Sequence, residues 1–391
     1  MKQVWGNVAH TSGAKVYSMV IGVIILALTA RLLGPEGRGQ VAAITTWVSL
    51  FTTFTCLSLG QVALHRMAGD ITHKRIGNLL GTLLMMAVIL TLLGWLVALC
   101  MYWYNPQGTF KGLPTSALLI GFVMLPFMIW EQYGSSLLIG LERIRTYNHY
   151  QVMGRTLSVA GVFLLVGWFG QGVDGVLQAS LLGQIVVSIG GLVFLFKFAQ
   201  SQNSICQPTK EETIALLKGG IKLHLNSIGT FLFTSGSVLI LNHFHSAEQT
   251  AYFQMANQLL GILMIIPTAA SMVIYGKVTS LGPNVAWPDN RRLLIQITLF
   301  MTILGSVAAL LAPWIIILLA GEKFRPAVEP FQWMLVGLIG MTFSTIMGPQ
   351  WIGRGYFWQA AGLTFLVGTI NLGANFWLIP QYGMQGAVYA F

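Results

Sequence analysis

The chain has 391 residues, of which 55% are hydrophobic in class and only 8% charged, and its mean hydropathy is +0.72. Soluble domains carry about 25% charge, so a soluble enzyme or binding module is excluded and a polytopic membrane protein is implied. The formal net charge is +10, but the basic residues stand singly between apolar runs and build no basic face, which argues against nucleic acid as a partner.

The first apolar runs lie at 14–33 and 41–64. Each is long enough to cross the ~30 Å hydrocarbon layer at about 1.5 Å per residue. Between them Gly34, Pro35, Gly37 and Gly39 predict a short turn, so the pair reads as a membrane hairpin. Lys2 and Lys15 precede the first run as in a signal peptide, yet the run is long for an h-region and feeds a second span at once, so it is read as a retained helix. Runs at 79–104, 115–139, 152–169 and 176–197 complete six spans. A polar connection follows, with Lys210, Glu211 and Glu212 opening an amphipathic stretch. Further runs lie at 223–243, 251–275, 293–320, 329–349 and 358–379, and a last one begins near Gln385 and stops at Phe391. The reading is therefore about 12 transmembrane helices with the last incomplete: a six-helix bundle over 1–197, a cytoplasmic linker over 198–222, and a second bundle over 223–391.

Placing the amino terminus and every even-numbered loop on one side gathers there all Lys and Arg except Arg31, Arg38, Lys111, Lys323 and Arg325. By the positive-inside rule that side is cytoplasmic, and the amino terminus with it. Cys56, Cys100 and Cys206 lie too far apart in sequence to suggest a disulfide framework or a metal site. No metal and no cofactor are expected.

No catalytic signature is present: the chain lacks H-E-x-x-H, a Walker A loop and G-x-S-x-G. A transporter is expected rather than an enzyme. Glu131 is the one acidic residue deep in an apolar run, five residues after Pro126. An ionisable group there is costly unless paired or hydrated, so it reads as a proton- or ion-coupling candidate, or else as a structural carboxyl bonded to a neighbouring helix. Arg155, one turn into the next span from the same side, is expected to pair with it or to share a hydrated cavity with it. Asn226, Thr230, Thr234 and Ser237 recur every three or four residues and so share a helix face. That face suits either a hydrophilic path or close helix packing. Arg31, Arg66, Arg143, Lys222 and His224 stand at span ends, where single cations snorkel to the interface or bind anions.

Three stretches carry a family resemblance: "ARLLGPEGRGQ" with "LGQVALHRMA", then "GLERIRTY", then "EQTAYFQMANQL" and "IPQYGMQGA". Taken in order, they make the chain similar to the Wzx-type oligosaccharide-lipid flippases, within the superfamily that holds multidrug and toxin extruders and lipid II flippases. The resemblance implies a V-shaped pair of six-helix bundles in the bacterial inner membrane that moves an undecaprenyl-pyrophosphate-linked oligosaccharide between leaflets. It implies a polysaccharide polymerase and a chain-length regulator as partners. Arg31, Arg66, Arg155, Lys222 and His224 would then neutralise phosphate, while Asn226, Thr230 and Thr234 bind sugar. Two other functions stay open: a cation-coupled drug exporter, which the few intramembrane acids argue against, and a membrane-embedded polymerase or ligase, which the short outer loops argue against.

Overall fold

The computed structural model describes residues 2–67 and 73–391, and within them every side chain but those of 2–12, 15, 73, 74, 106, 107 and 222. The described residues contain no strand. In chain order the helices are α1 Lys2–Cys56, α2 Leu59–Met67, α3 His73–Tyr104, α4 Pro106–Thr109, α5 Thr115–Val123, α6 Leu125–Gly140, α7 Ile144–Gly161 and α8 Gly172–Ser201. There follow α9 Lys210–Phe244, α10 Ala247–Leu263, α11 Ile265–Leu281, α12 Pro283–Ala320, α13 Val328–Gly353, α14 Phe357–Tyr382 and α15 Met384–Ala390. Among the described residues, ten helical stretches are long and apolar enough to cross a membrane. This is an all-α, multi-pass membrane protein.

Several expected spans are broken by local chemistry. The turn expected over 34–39 shrinks to one residue: Gly34 (φ 68°, ψ −175°) breaks α1, and Pro35 resumes the helix at once. Proline is tolerated there because the first helical N–H needs no partner, and Gly34 adopts a backbone closed to most L residues. The span expected over 41–64 breaks at Leu57 and Ser58, both at positive φ (47° and 52°). The fourth span breaks at Met124, ahead of Pro126. Proline removes the N–H that would take the Phe122 carbonyl, and Trp95 Nε1 donates to that carbonyl instead, at 2.9 Å. Pro313 in α12 likewise frees the Ala309 carbonyl, which accepts from Gln332 Nε2 of α13 at 2.9 Å.

The helices group into two compact units, Met1–Leu33 with Ala43–Ile228, and Gly34–Ala42 with Gly229–Phe391. Helices α1 and α9 contribute to both. In the first unit Phe51, Leu59, Leu83, Leu125, Ile129, Tyr133 and Leu137 form the core. Beside that core α7 and α8 meet backbone to backbone, because a side chain on Gly154 would collide with the Gly183 carbonyl and with Val187. In lipid, helix association depends on close packing rather than on escape from water, and paired glycines provide it. In the second unit Ile274, Val278, Ala286 and Ile346 join α11, α12 and α13. Leu93, Leu96 and Leu99 of α3 and Leu299, Ile303 and Leu310 of α12 are exposed, as expected of side chains that face hydrocarbon.

Gly183→Leu is expected to abolish the monodisperse folded peak on size-exclusion chromatography of the solubilised protein, whereas Gly340→Leu, where a side chain meets open space, leaves it intact.

Candidate functional site

In the first unit, α6, α7 and α8 converge on Glu131. Its Oε1 accepts from the Tyr147 hydroxyl at 3.3 Å and from Gln151 Nε2, and its Oε2 accepts from Gln184 Nε2. Gln151 Nε2 also donates to Tyr147 Oη at 2.7 Å. Tyr147 and Gln151 are four residues apart, hence on one face of α7, while Gln184 arrives from α8. The expected ion pair with Arg155 is not made. Among the described residues Glu131 takes part in no salt bridge, and Arg155 is exposed. Gln151 stands one turn before Arg155 on α7 and occupies the carboxylate, so neutral donors satisfy it without a counter-ion.

A second polar cluster surrounds the break at Leu57–Ser58. Tyr133 Oη donates to the Cys56 carbonyl at 2.8 Å, and Ser58 Oγ hydrogen-bonds His224 Nδ1 at 3.3 Å and Ser227 Oγ at 3.1 Å. His224 is buried beside this break, held there through Ser58.

The third cluster ties the linker to the bundle. Arg66 of α2 donates through Nε and Nη2 to the two oxygens of Glu212, at 2.7 Å and 3.0 Å, and Arg75 Nε lies 3.4 Å from the same carboxylate. The Glu212 side chain is only 7% exposed, so the two guanidiniums compensate a buried anion. The linker also docks on α3, where Ser204 Oγ accepts from Gly77 N at 3.1 Å and Thr82 Oγ1 accepts from Thr209 N at 3.1 Å.

The remaining sequence candidates are spread out. Arg31 and Arg143 are exposed, and Asn226, Thr230 and Thr234 are exposed at four-residue spacing along α9. Ser237, expected on the same face, is buried. The side chains of Lys2, Lys15, Lys74 and Lys222 lie outside the described residues. Sequence reasoning missed Arg38. It was assigned to an outer loop, yet it is buried in the second unit and donates to Gln258 Oε1 at 2.9 Å. Its neighbours Gly37 and Gly39 look like turn residues, and that hid it. Among the described residues no cluster of His, Cys, Asp and Glu could hold a metal.

The family described as polysaccharide biosynthesis protein matches residues 4–275. The chain belongs to this family. No curated protein sequence matches it. Among solved structures, the lipid II flippase MurJ in an inward closed conformation aligns with a TM-score of 0.76 at 14% identity, over 97% of this chain and 83% of that one. An inward-facing multidrug resistance MATE family transporter of the MOP superfamily aligns with the same TM-score at 15% identity, over 95% and 90%. A MOP superfamily transporter from Pyrococcus furiosus aligns less closely, with a TM-score of 0.54 at 14% identity, over 98% and 89%. The family member described here therefore has the MOP-type helical fold.

Glu131→Ala is expected to cost about 1–3 kcal/mol, because it leaves two amides and a hydroxyl without their acceptor. In a double-mutant cycle read by thermal denaturation, Glu131 and Gln184 should couple by roughly 0.5 kcal/mol or more, and Glu131 and Arg155 by nearly nothing. Glu212→Gln is expected to destabilise by about 1–3 kcal/mol, below the ~3–5 kcal/mol of a fully buried pair because both arginines reach solvent. Limited proteolysis of the 202–209 segment should speed up in parallel.

Proposed function

We propose that this protein is a flippase carrying undecaprenyl-pyrophosphate-linked oligosaccharide units from the cytoplasmic to the periplasmic leaflet of the bacterial inner membrane, for surface polysaccharide synthesis. The observation that carries the reading is the family match over residues 4–275, made by a chain that shares its fold with a lipid II flippase. Such a substrate is polar and anionic at one end and hydrocarbon at the other. Its head needs hydrogen-bonding groups for sugar hydroxyls and cations for phosphate, since an unneutralised phosphate is prohibitively costly in low dielectric.

In this reading the exposed row of Asn226, Thr230 and Thr234 meets the sugar, and Arg155, Arg31 and Lys222 meet the phosphates. Guanidinium suits phosphate through its planar fork of donors. Arg66 and His224, engaged by Glu212 and Ser58, serve the framework instead. Glu131 is the proposed coupling group, acting on the α7–α8 pair through Gln151 and Gln184. The amino terminus lies in the cytoplasm, and the polymerase and chain-length regulator that consume the exported units act downstream. A second reading, a cation-coupled multidrug exporter, draws on the equally close MATE fold, and the family's description weighs against it.

The test is the leaflet distribution of lipid-linked oligosaccharide in cells lacking the protein. Accumulation on the cytoplasmic side, reversed by the wild-type chain and reversed poorly by the Thr230→Val, Thr234→Val double variant, is the expected result. Unimpaired outward movement with no redundant carrier would overturn the reading, and drug efflux in the same cells would favour the exporter.

A further inference from the structure

One end of the second unit, where α11, α12 and α13 meet, gathers Lys277, Arg291, Arg292 and Arg354 around a carboxylate. That carboxylate, Asp289, is taken by Lys277 at 2.7 Å. At this corner lies a pocket of about 360 Å³ lined by Met347, Gln350, Trp351, Arg354, Tyr356 and Gln359. It sits between the end of the apolar stretch Glu322–Gly353 and the start of Phe357–Tyr382, which is where a span leaves the hydrocarbon for the headgroup layer.

Two features mark the pocket as a site for an anion. Among the described residues Arg354 makes no salt bridge: it donates to Gln350 Oε1 and, at 3.4 Å, to Asn284 Oδ1, and it lies 5.9 Å from the centre of the Trp287 ring. Gln350 is 1% exposed, and with its Oε1 engaged by Arg354 its Nε2 is left without an acceptor. Buried donors normally have partners, and a missing one calls for an explanation. The remaining walls are largely apolar: Met347, and Trp351 set edge to face with Tyr356 at 6.3 Å.

We propose that this pocket binds the phosphate of an anionic lipid headgroup. Arg354 and Gln350 Nε2 donate to the phosphate oxygens, and Met347, Trp351 and Tyr356 pack on the glycerol and the first methylenes. Free phosphate shares the anionic chemistry but has no apolar part to set against these walls. The surrounding Lys277, Arg291 and Arg292 add the long-range attraction that draws anionic lipid to basic membrane-edge segments. The site uses none of the residues assigned to the transported substrate and does not rest on that assignment.

The test uses the full chain in detergent, titrated with phosphatidylglycerol, phosphatidylcholine or inorganic phosphate and read by native mass spectrometry and by melting temperature. Wild type should prefer phosphatidylglycerol over phosphatidylcholine by about fivefold or more. Arg354→Gln should lose that preference, and Arg354→Lys should keep most of it. Gln350→Met should gain less melting temperature from phosphatidylglycerol than wild type does. An unchanged preference in Arg354→Gln would overturn the site. Displacement of the lipid by inorganic phosphate would overturn the lipid in favour of a free anion. An equal gain on lipid addition in Gln350→Met would remove Gln350 as the second donor.

Discussion

Inside a bilayer no water is present to satisfy a backbone carbonyl, so every break in a helix must be answered by a side chain from elsewhere in the fold. The architecture here follows from that constraint. Pro126 frees the Phe122 carbonyl and Trp95 fills it, and Pro313 frees Ala309 and Gln332 fills it. The Leu57–Ser58 break is held by Tyr133 on the Cys56 carbonyl and by His224 and Ser227 on Ser58. Each bent helix is thereby committed to a specific neighbour, and the bends become packing instructions.

The same economy governs charge. Two carboxylates of the first unit are held from several sides: Glu131 by three neutral donors from two helices, Glu212 by two guanidiniums. The Glu212 cluster secures the linker to α2 and α3, so the polar connection between the long apolar runs is anchored on the first unit through its ion pairs and through Ser204 and Thr209. A buried ion pair adds little net stability compared with an apolar substitute, but removing one partner is costly. Such pairs therefore fix geometry more than they strengthen it. Arg354 is the contrasting case, a cation among neutral partners beside an unpaired amide donor.

These two rules separate framework from function. Side chains that plug carbonyls, such as Trp95 and Gln332, or that close ion pairs, such as Arg66, are explained by the fold. The exposed polar row on α9 and the exposed guanidinium of Arg155 are the groups that the proposed function assigns to the substrate.

Composition and run length were enough to determine an all-helical membrane protein and nearly every span, because twenty apolar residues in sequence have no other stable solution than to cross lipid as a helix. The break near Pro126 and the shared face of Asn226, Thr230 and Thr234 were legible for the same reason, since both are local consequences of backbone chemistry. Tertiary structure alone decided the partners. Gln184 lies 53 residues from Glu131 and Glu212 lies 146 from Arg66, and a helix periodicity says which face a residue occupies but not which helix comes to meet it. Arg38 was misread because a glycine-rich stretch after Gly34 looks like a loop until Pro35 is seen to restart the helix and carry the arginine into the second unit. Arg155 lost its expected counter-ion to Gln151 for a related reason: depth in the membrane put both within reach of Glu131, and only the packing of α6 against α7 chose between them.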